Sequence, residues 1–327
     1  MQRYDIHEVH PFFEYVRLDD DSLPPARRDR IDVALLDMNH SWPNIGHDAL
    51  VHVVLDAACE LREELAANDT KVRVLSYDVR RRNVVPESPN GRFKLYIGTG
   101  GPGHLDPRLN DGKHEWSQGV DETDEWEAPL FHLFDDILAD PSAAMIAVCH
   151  SFGLVCRWTG IAKPVLREEK SSGMPLNRLS REALQHPWFS QFARTLPDRQ
   201  HFRVVDNRLF DLILDQPRTS VPIAFEAAGS SALTIVELAR SAGGDMPRLM
   251  GVNHHPEIVD RDHIMQVLDE KRAHGEVSDQ WYEERATTMR DLFRDEQERQ
   301  SRLTSHYTLV EPLRWHLARL VRERAGS

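Results

Sequence analysis

Cysteine is scarce in this sequence, and its scarcity argues against a fold held together by disulfide bonds. Cys59, Cys149 and Cys156 are scattered among 327 residues. An odd number of cysteines without the spacing of a metal site favours a reducing compartment. We therefore expect a cytoplasmic protein.

Long apolar runs and an excess of basic charge are also lacking. No segment approaches the roughly 20 apolar residues of a membrane-spanning helix, and the first residues do not resemble a signal peptide. Acidic residues outnumber basic ones by 53 to 40, which gives a formal net charge of −13. Nucleic-acid binding needs a basic surface, so we expect neither nucleic acid nor a membrane as a partner. The basic cluster DVRRRN at 78–83 is typical of a solvated loop or strand edge.

Apolar runs alternate with helical patterns through the first half of the chain. Strands are predicted at 31–38, 71–79, 92–103 and 143–149, with helices at 47–68, 126–140 and 151–160. This alternation indicates an α/β fold with an open, mainly parallel sheet and helices on both faces. Active sites in such sheets form at the carboxyl ends of the strands.

The second half of the chain has a different pattern. Residues 201–258 contain strand-like segments that we interpret as an antiparallel extension closing one side of the site. From residue 261 the pattern becomes charged, amphipathic and helical. We divide the chain into a lead-in at 1–30, a catalytic domain at 31–260 and a helical extension at 261–327. Neither a second α/β pattern nor a nucleotide-binding loop follows residue 260.

The apolar run AAMIAV ends on a cysteine, Cys149, and a helical pattern begins directly behind it. Most buried cysteines are inert, and Cys156 is interpreted as one of these. A thiol at a strand-to-helix turn, however, lies at the positive end of the helix dipole, which favours the thiolate. The backbone N–H of His150 would then point into the same space and hold an oxyanion.

A glycine-rich segment, GTGGPGH at 98–104, lies at another predicted strand end. Glycines there allow backbone N–H groups to approach a ligand closely. The segment has neither the GxGxxG spacing nor the GK[ST] ending of nucleotide sites, and we predict no cofactor. Opposite Cys149, it would supply a second oxyanion donor.

The third segment of interest is VNHHPE at 252–257. His255 offers a base, and Glu257 reaches the same imidazole if the intervening proline keeps the chain extended. An ordinary polar turn is the alternative. We predict no metal, because no pair of ligand types has the usual zinc spacing. The residues that could otherwise contribute ligands to such a site are Cys149, His150, His254 and His255.

Together these motifs resemble the class I glutamine amidotransferase family, over roughly residues 31–260. The family's GGPG loop corresponds to Gly100–Gly103, its nucleophile to Cys149 and its HPE motif to residues 255–257. The resemblance implies a flavodoxin-like α/β fold and a triad of Cys149, His255 and Glu257. It implies that Cys149 attacks the side-chain amide of glutamine while the N–H groups of Gly101 and His150 hold the oxyanion. His255 would protonate the leaving ammonia and then activate water against the thioester.

The segment behind the cysteine departs from the family pattern. Ser151 replaces a glycine of the tight turn, and Gly153 stands where the family has a glutamine that contacts the substrate. Other amide substrates, such as γ-glutamyl compounds, therefore stand beside glutamine. The residues expected to line the substrate pocket are Gly100, Gly103, Gly153, Asp206, Asn207 and Arg208.

The resulting prediction is an amidotransferase-like enzyme that hydrolyses a side-chain amide through a thioester and delivers ammonia to a separate synthase subunit. The alternative is a catalytically silent relative used for binding or regulation. A protease or chaperone sharing the elbow cysteine fits the GGPG and HPE motifs less well.

Overall fold

The computed structural model describes residues 4–18, 23–215, 220–227, 231–259, 261–293 and 295–325. Within these ranges lie twelve strands. They are β1 (Phe13–Arg17), β2 (Arg30–Asp37), β3 (Lys71–Asp78), β4 (Leu95–Gly98), β5 (Ala144–Val148), β6 (Ala162–Gly173), β7 (Leu176–Leu179), β8 (His201–Arg203), β9 (Asp206–Leu214), β10 (Val221–Glu226), β11 (Leu233–Arg240) and β12 (Pro247–Val252).

The helices of the same ranges flank these strands. They are α1 (Ile45–Glu60), α2 (Arg62–Ala67), α3 (Val79–Arg82), α4 (Glu127–Ala139), α5 (His150–Thr159), α6 (Arg181–Gln185), α7 (Phe189–Thr195), α8 (Arg261–Ala273), α9 (Asp279–Leu292), α10 (Asp295–Ser305) and α11 (Glu311–Ala325). No helix among the described residues is both long and apolar enough to cross a membrane. The cytoplasmic location stays a prediction.

Ten of the strands form one sheet in the order β1-β3-β2-β4-β5-β12-β11-β10-β7-β8, and β6 pairs with β9 apart from it. Pairing is parallel from β1 to β12 and antiparallel from β12 to β8. Both the parallel sheet and its antiparallel extension are thus confirmed. The strand-like residues at 201–214 are divided between β8 in the sheet and β9 in the separate pair.

Both faces of the sheet are covered, because successive side chains of a strand point to opposite sides. In β2, Val33 and Leu35 pack in one buried cluster, while Ala34 and Leu36 pack in the other. Helices α1 and α11 cover the first face, and α4 and α5 cover the second. The predicted arrangement of helices on both faces is therefore confirmed.

Both flanking parts of the chain join this architecture. β1, which lies in the 1–30 lead-in, pairs in parallel with β3 at the edge of the sheet. From the C-terminal extension, Leu313 and Leu317 of α11 are fully buried in the main core. The division into three domains stays a prediction, but the lead-in and the extension both contribute to the packed structure.

Candidate active site

Cys149 lies on the turn between β5 and α5, at the carboxyl end of a central strand. Its backbone has φ 49° and ψ −101°, a conformation that costs a non-glycine residue about 1–3 kcal/mol. Its N–H donates to the Val252 carbonyl oxygen of β12 at 2.8 Å. This sharp turn has the form of a nucleophile elbow, which raises a side chain above the edge of the sheet.

His255 and Glu257 follow the neighbouring strand, β12. His255 Nδ1 and Glu257 Oε1 are 2.8 Å apart, and the His255 N–H donates to the Val205 carbonyl oxygen at 2.8 Å. Burial alone lowers the pKa of His255. The charges of Glu257 and of the Cys149 side chain, together with hydrogen bonds to both, raise it well above its usual range. His255 is therefore poised as an imidazolium between the thiol and the carboxylate.

The first turn of α1 encloses the buried Glu257 carboxylate. A Cβ atom placed on Gly46 would lie 2.6 Å from Glu257 Oε1, so glycine at this position leaves room for the carboxylate. The N-terminal end of a helix also stabilises a negative charge. The structure thereby fixes the carboxylate that orients His255.

The adjacent histidine, His254, has the opposite character. It is 1% exposed, and neither of its ring nitrogens has a hydrogen-bond partner among the described residues. Burial, with the nearby charges of His255 and Arg208, lowers its pKa to about 3. His254 is therefore a neutral core residue at physiological pH, and His255 is the residue that contacts the thiol.

The glycine segment behind β4 lies against this pair. A Cβ atom on Gly100 would lie 2.9 Å from His255 Cε1 and 3.5 Å from Cys149 Cβ. One on Gly101 would lie 2.2 Å from the Met38 carbonyl oxygen, and the Gly101 backbone hydrogen-bonds the side chain of His150. Gly103 has φ 85°. The two positions predicted as oxyanion donors, Gly101 and His150, are therefore neighbours.

Arg80 holds this glycine segment from behind. Its Nη1 donates to the carbonyl oxygens of Met38, at 2.8 Å, and Pro102, at 2.6 Å. Its Nε and Nη2 bind both oxygens of Glu122, at 2.9 and 2.5 Å. The basic cluster at 78–83 was interpreted as solvated, but Arg80 is 2% exposed. Sequence reasoning missed Arg80 and Glu122 because neither stands in a motif.

The predicted residues meet around one cavity of about 790 Å³. Those lining it are Gly101, Gly103, Cys149, His150, Asp206, Asn207, Arg208 and His255. Gly100 and Gly153, which were also expected to line the pocket, are not among the lining residues. Leu105 occupies the surroundings of Gly153, where a Cβ atom would clash with Leu105 Cδ2. Ser151 points to the sheet and donates to the Thr99 carbonyl oxygen at 2.7 Å.

Asp206 and Arg208, which are both buried, differ in how fully their polar atoms are paired. Asp206 Oδ2 accepts from Ser171 and from Arg208, each at 2.6 Å, whereas Oδ1 has no partner in the described part of the chain. Burial raises the pKa of Asp206 against the opposing effect of Arg208. Arg208 also pairs with Asp211 and Glu226, so its charge is already neutralised.

Helix α9 forms part of the cavity wall, although it lies in the extension placed outside the catalytic domain. The residues it contributes are Trp281, Arg285, Thr288 and Met289. Their amphipathic pattern showed an apolar stripe but gave no sign of what the stripe covers. No signal in the sequence linked them to Cys149.

Two groups of side chains in the described chain have the composition and spacing of metal ligands. One is Asp5, His7 and His274, and the other is His7, Asp48 and Glu276. Neither includes a residue that lines the Cys149 cavity.

No protein-family model matches the sequence, and neither does any curated protein. The chain is similar in structure to glutamine amidotransferases. One, from Thermotoga maritima, has 14% sequence identity and a TM-score of 0.49, with 89% of this chain and 98% of that chain covered. Another, from Methylobacillus flagellatus, has 14% identity and a TM-score of 0.45, with 90% and 91% covered. At this identity, the activity of neither protein is transferred to this chain.

Proposed function

We propose that this protein is a cysteine amidohydrolase of the amidotransferase type, which cleaves a side-chain amide of the γ-glutamyl kind through a thioester. The observation that carries the proposal is the convergence of Cys149, the His255–Glu257 pair and the Gly101 loop on one cavity. A nucleophile, an oriented acid–base and paired oxyanion donors are the parts that acyl transfer needs.

The reaction follows from these positions. The Cys149 sulfur bonds to the amide carbon, and the displaced π electrons go to the oxygen, which the N–H groups of Gly101 and His150 hold. His255 gives its proton to the amide nitrogen, the C–N bond breaks, and ammonia or an amine leaves. Neutral His255 then takes a proton from water, the resulting hydroxide attacks the thioester, and the C–S bond breaks. The products are the acid and the amine, with Cys149 and protonated His255 restored.

Asp206 gives this cavity a site for a cationic group. Asp206 lines the cavity and its buried Oδ1 has no hydrogen-bond partner among the described residues, so the α-ammonium of a γ-glutamyl substrate that reaches it would supply the missing donor. Glutamine is the simplest such substrate, and its ammonia would pass to a separate synthase subunit. Asn207 lines the cavity beside Asp206 and is exposed, so it supplies a further polar contact.

The first experiment measures glutamate release from L-glutamine and from a panel of γ-glutamyl amides by purified protein. Cys149→Ala is expected to lower release by at least about three orders of magnitude. Cys156→Ala is the matched control, because Cys156 is buried in the core outside the cavity. Equal activity in Cys149→Ala and wild type would overturn the proposal.

A silent binding protein is the second candidate, and the position of Leu105 favours it. Leu105 fills the surroundings of Gly153, where the amidotransferase family has its glutamine-contacting side chain. This candidate predicts that γ-glutamyl amides bind the wild-type protein and are recovered intact. Turnover that disappears in Cys149→Ala would exclude it.

A further inference from the structure

The cavity is also lined by two cationic side chains that have no ionic partner among the described residues. Arg285 of α9 and Lys170 of β6 both line the cavity and are exposed. Within the described residues neither makes an ion pair. The Arg285 guanidinium lies over the face of Trp281, 5.4 Å from the ring centre. The other arginines of α9 and α10, Arg290, Arg299 and Arg302, do not line this cavity.

The charge of this cavity is therefore unbalanced. Asp206 is the one acidic side chain among the described residues that line it, and its Oδ2 is bound by Arg208 and Ser171. Arg208 is neutralised by its own carboxylate partners. Arg285 and Lys170 are left to a ligand, and their chemistry suits a carboxylate or a phosphate.

The size of the cavity points beyond glutamine. Glutamine has ten non-hydrogen atoms, and even at the ~30 Å³ that a water molecule takes up in the liquid it would fill less than half of the space of about 790 Å³. Trp281 and Met289 add apolar surface in the same wall. An indole and a thioether suit the body of a larger ligand.

We propose that the substrate is an extended γ-glutamyl amide whose amine portion carries an anionic group. Arg285 and Lys170 pair with that group, and Trp281 and Met289 pack against the carbon skeleton that leads to it. This inference rests on the proposed amidohydrolase function. It makes α9, and hence the C-terminal extension, the part of the chain that selects the substrate.

The test compares two substrates that differ in one charge: γ-glutamyl-leucine, with a free carboxylate, and γ-glutamyl-leucinamide, with a neutral amide in its place. Wild type is expected to prefer the acid by about tenfold in kcat/KM, chiefly through KM. Arg285→Gln is expected to bring the ratio close to one. Lys170→Gln is expected to lower the ratio by about half as much on a logarithmic scale. The magnitudes are those of partly exposed charge pairs with an arginine fork.

Arg290→Gln is the matched control, because Arg290 is exposed on the same helix and does not line the cavity. It is expected to keep the wild-type ratio. A ratio that is the same in Arg285→Gln and wild type would overturn the inference.

A binding measurement separates this inference from the proposed function. If neither peptide is hydrolysed, calorimetry on Cys149→Ala compares their binding. Preferential binding of the acid, lost on adding Arg285→Gln, would support the anionic subsite while overturning the hydrolase. Equal binding of acid and amide, or binding of neither, would overturn the subsite.

Discussion

Glu257 raises the pKa of His255, the residue that contacts the Cys149 side chain. The Glu257→Gln variant removes the charge that most strongly raises the pKa of His255, so that pKa is expected to fall toward its ordinary value. Imidazolium is then lost at a lower pH, and the alkaline limb of the kcat/KM profile moves to lower pH. The rate itself is expected to drop by about two to four orders of magnitude.

A second buried pair in this protein provides the control. His186 Nε2 and Glu237 Oε2 are 3.0 Å apart, and neither residue lines the cavity. Glu237→Gln is expected to lower stability and to leave the pH–rate profile in place. If Glu257→Gln and Glu237→Gln give the same alkaline limb, His255 is not the acid of the reaction.

At this scale, the sequence predicts residues that stand in a motif at a strand end. Cys149, His255 and Gly101 are such residues, and they line one cavity. Arg80 was beyond prediction, since it is one of three consecutive arginines and the next one, Arg81, is exposed. Arg80 holds the glycine segment only because the fold brings the carbonyl oxygens of Pro102 and Met38 within its reach.

Among the elements, the glycine loop depends on α3 for its position. Arg80→Lys is expected to reduce kcat/KM at least about tenfold, because lysine lacks the planar fork that binds Glu122 and two carbonyl oxygens at once. The free energy of unfolding is expected to fall by about 2 kcal/mol, since Glu122 loses part of its buried pairing. Activity assays and urea denaturation measure the two effects.

Arg81→Lys, on the exposed side of the same helix, is the control and is expected to stay within about 0.5 kcal/mol of wild type. An Arg80→Lys variant with wild-type activity would show that the loop keeps its shape without the fork.

The hydrophobic pattern predicts some of the strands and helices but neither the short edge strand nor the packing partner of α9. β5, AMIAV, is a continuous apolar run, as expected for a strand buried on both faces, and β2 and β3 are buried along nearly their whole length. β1 is five residues long, with the sequence FEYVR, and lies at an edge, so its pattern is too short to separate it from a loop. α9 was predicted as a helix, but a helical period does not specify which neighbour an apolar face meets.

For the whole molecule, buried neutral histidines such as His254 and His316 make the free energy of unfolding decrease in acid. Burial lowers the pKa of His254 to about 3 and that of His316 to about 4. In the unfolded chain both histidines have the ordinary pKa of 6.5, so they bind protons at a higher pH than in the folded protein. Their contribution to the free energy of unfolding is therefore fully present above pH 6.5. It declines as the pH falls below that value, by up to about 1.4 kcal/mol per pH unit for each histidine.

His254→Leu removes one of these groups without breaking a hydrogen bond to a described residue. The loss of unfolding free energy between pH 7 and pH 5 is expected to shrink by about 2 kcal/mol relative to wild type, measured by urea denaturation. His132→Leu, at an exposed position on α4, is expected to leave the pH dependence unchanged. The same pH dependence in His254→Leu and wild type would contradict the neutral state of His254.

The insertion of β12 beside β5 sets an order of events during synthesis. Met145 pairs with Leu249, and the Cys149 N–H pairs with Val252, so the elbow closes only against a strand made about a hundred residues later. Pairings between such distant segments form slowly. When the ribosome has just added Cys149, neither His255 nor Glu257 has yet been synthesised. The proposed active site is complete only after residues 247–257 have emerged, and the α9 wall of its cavity emerges later still.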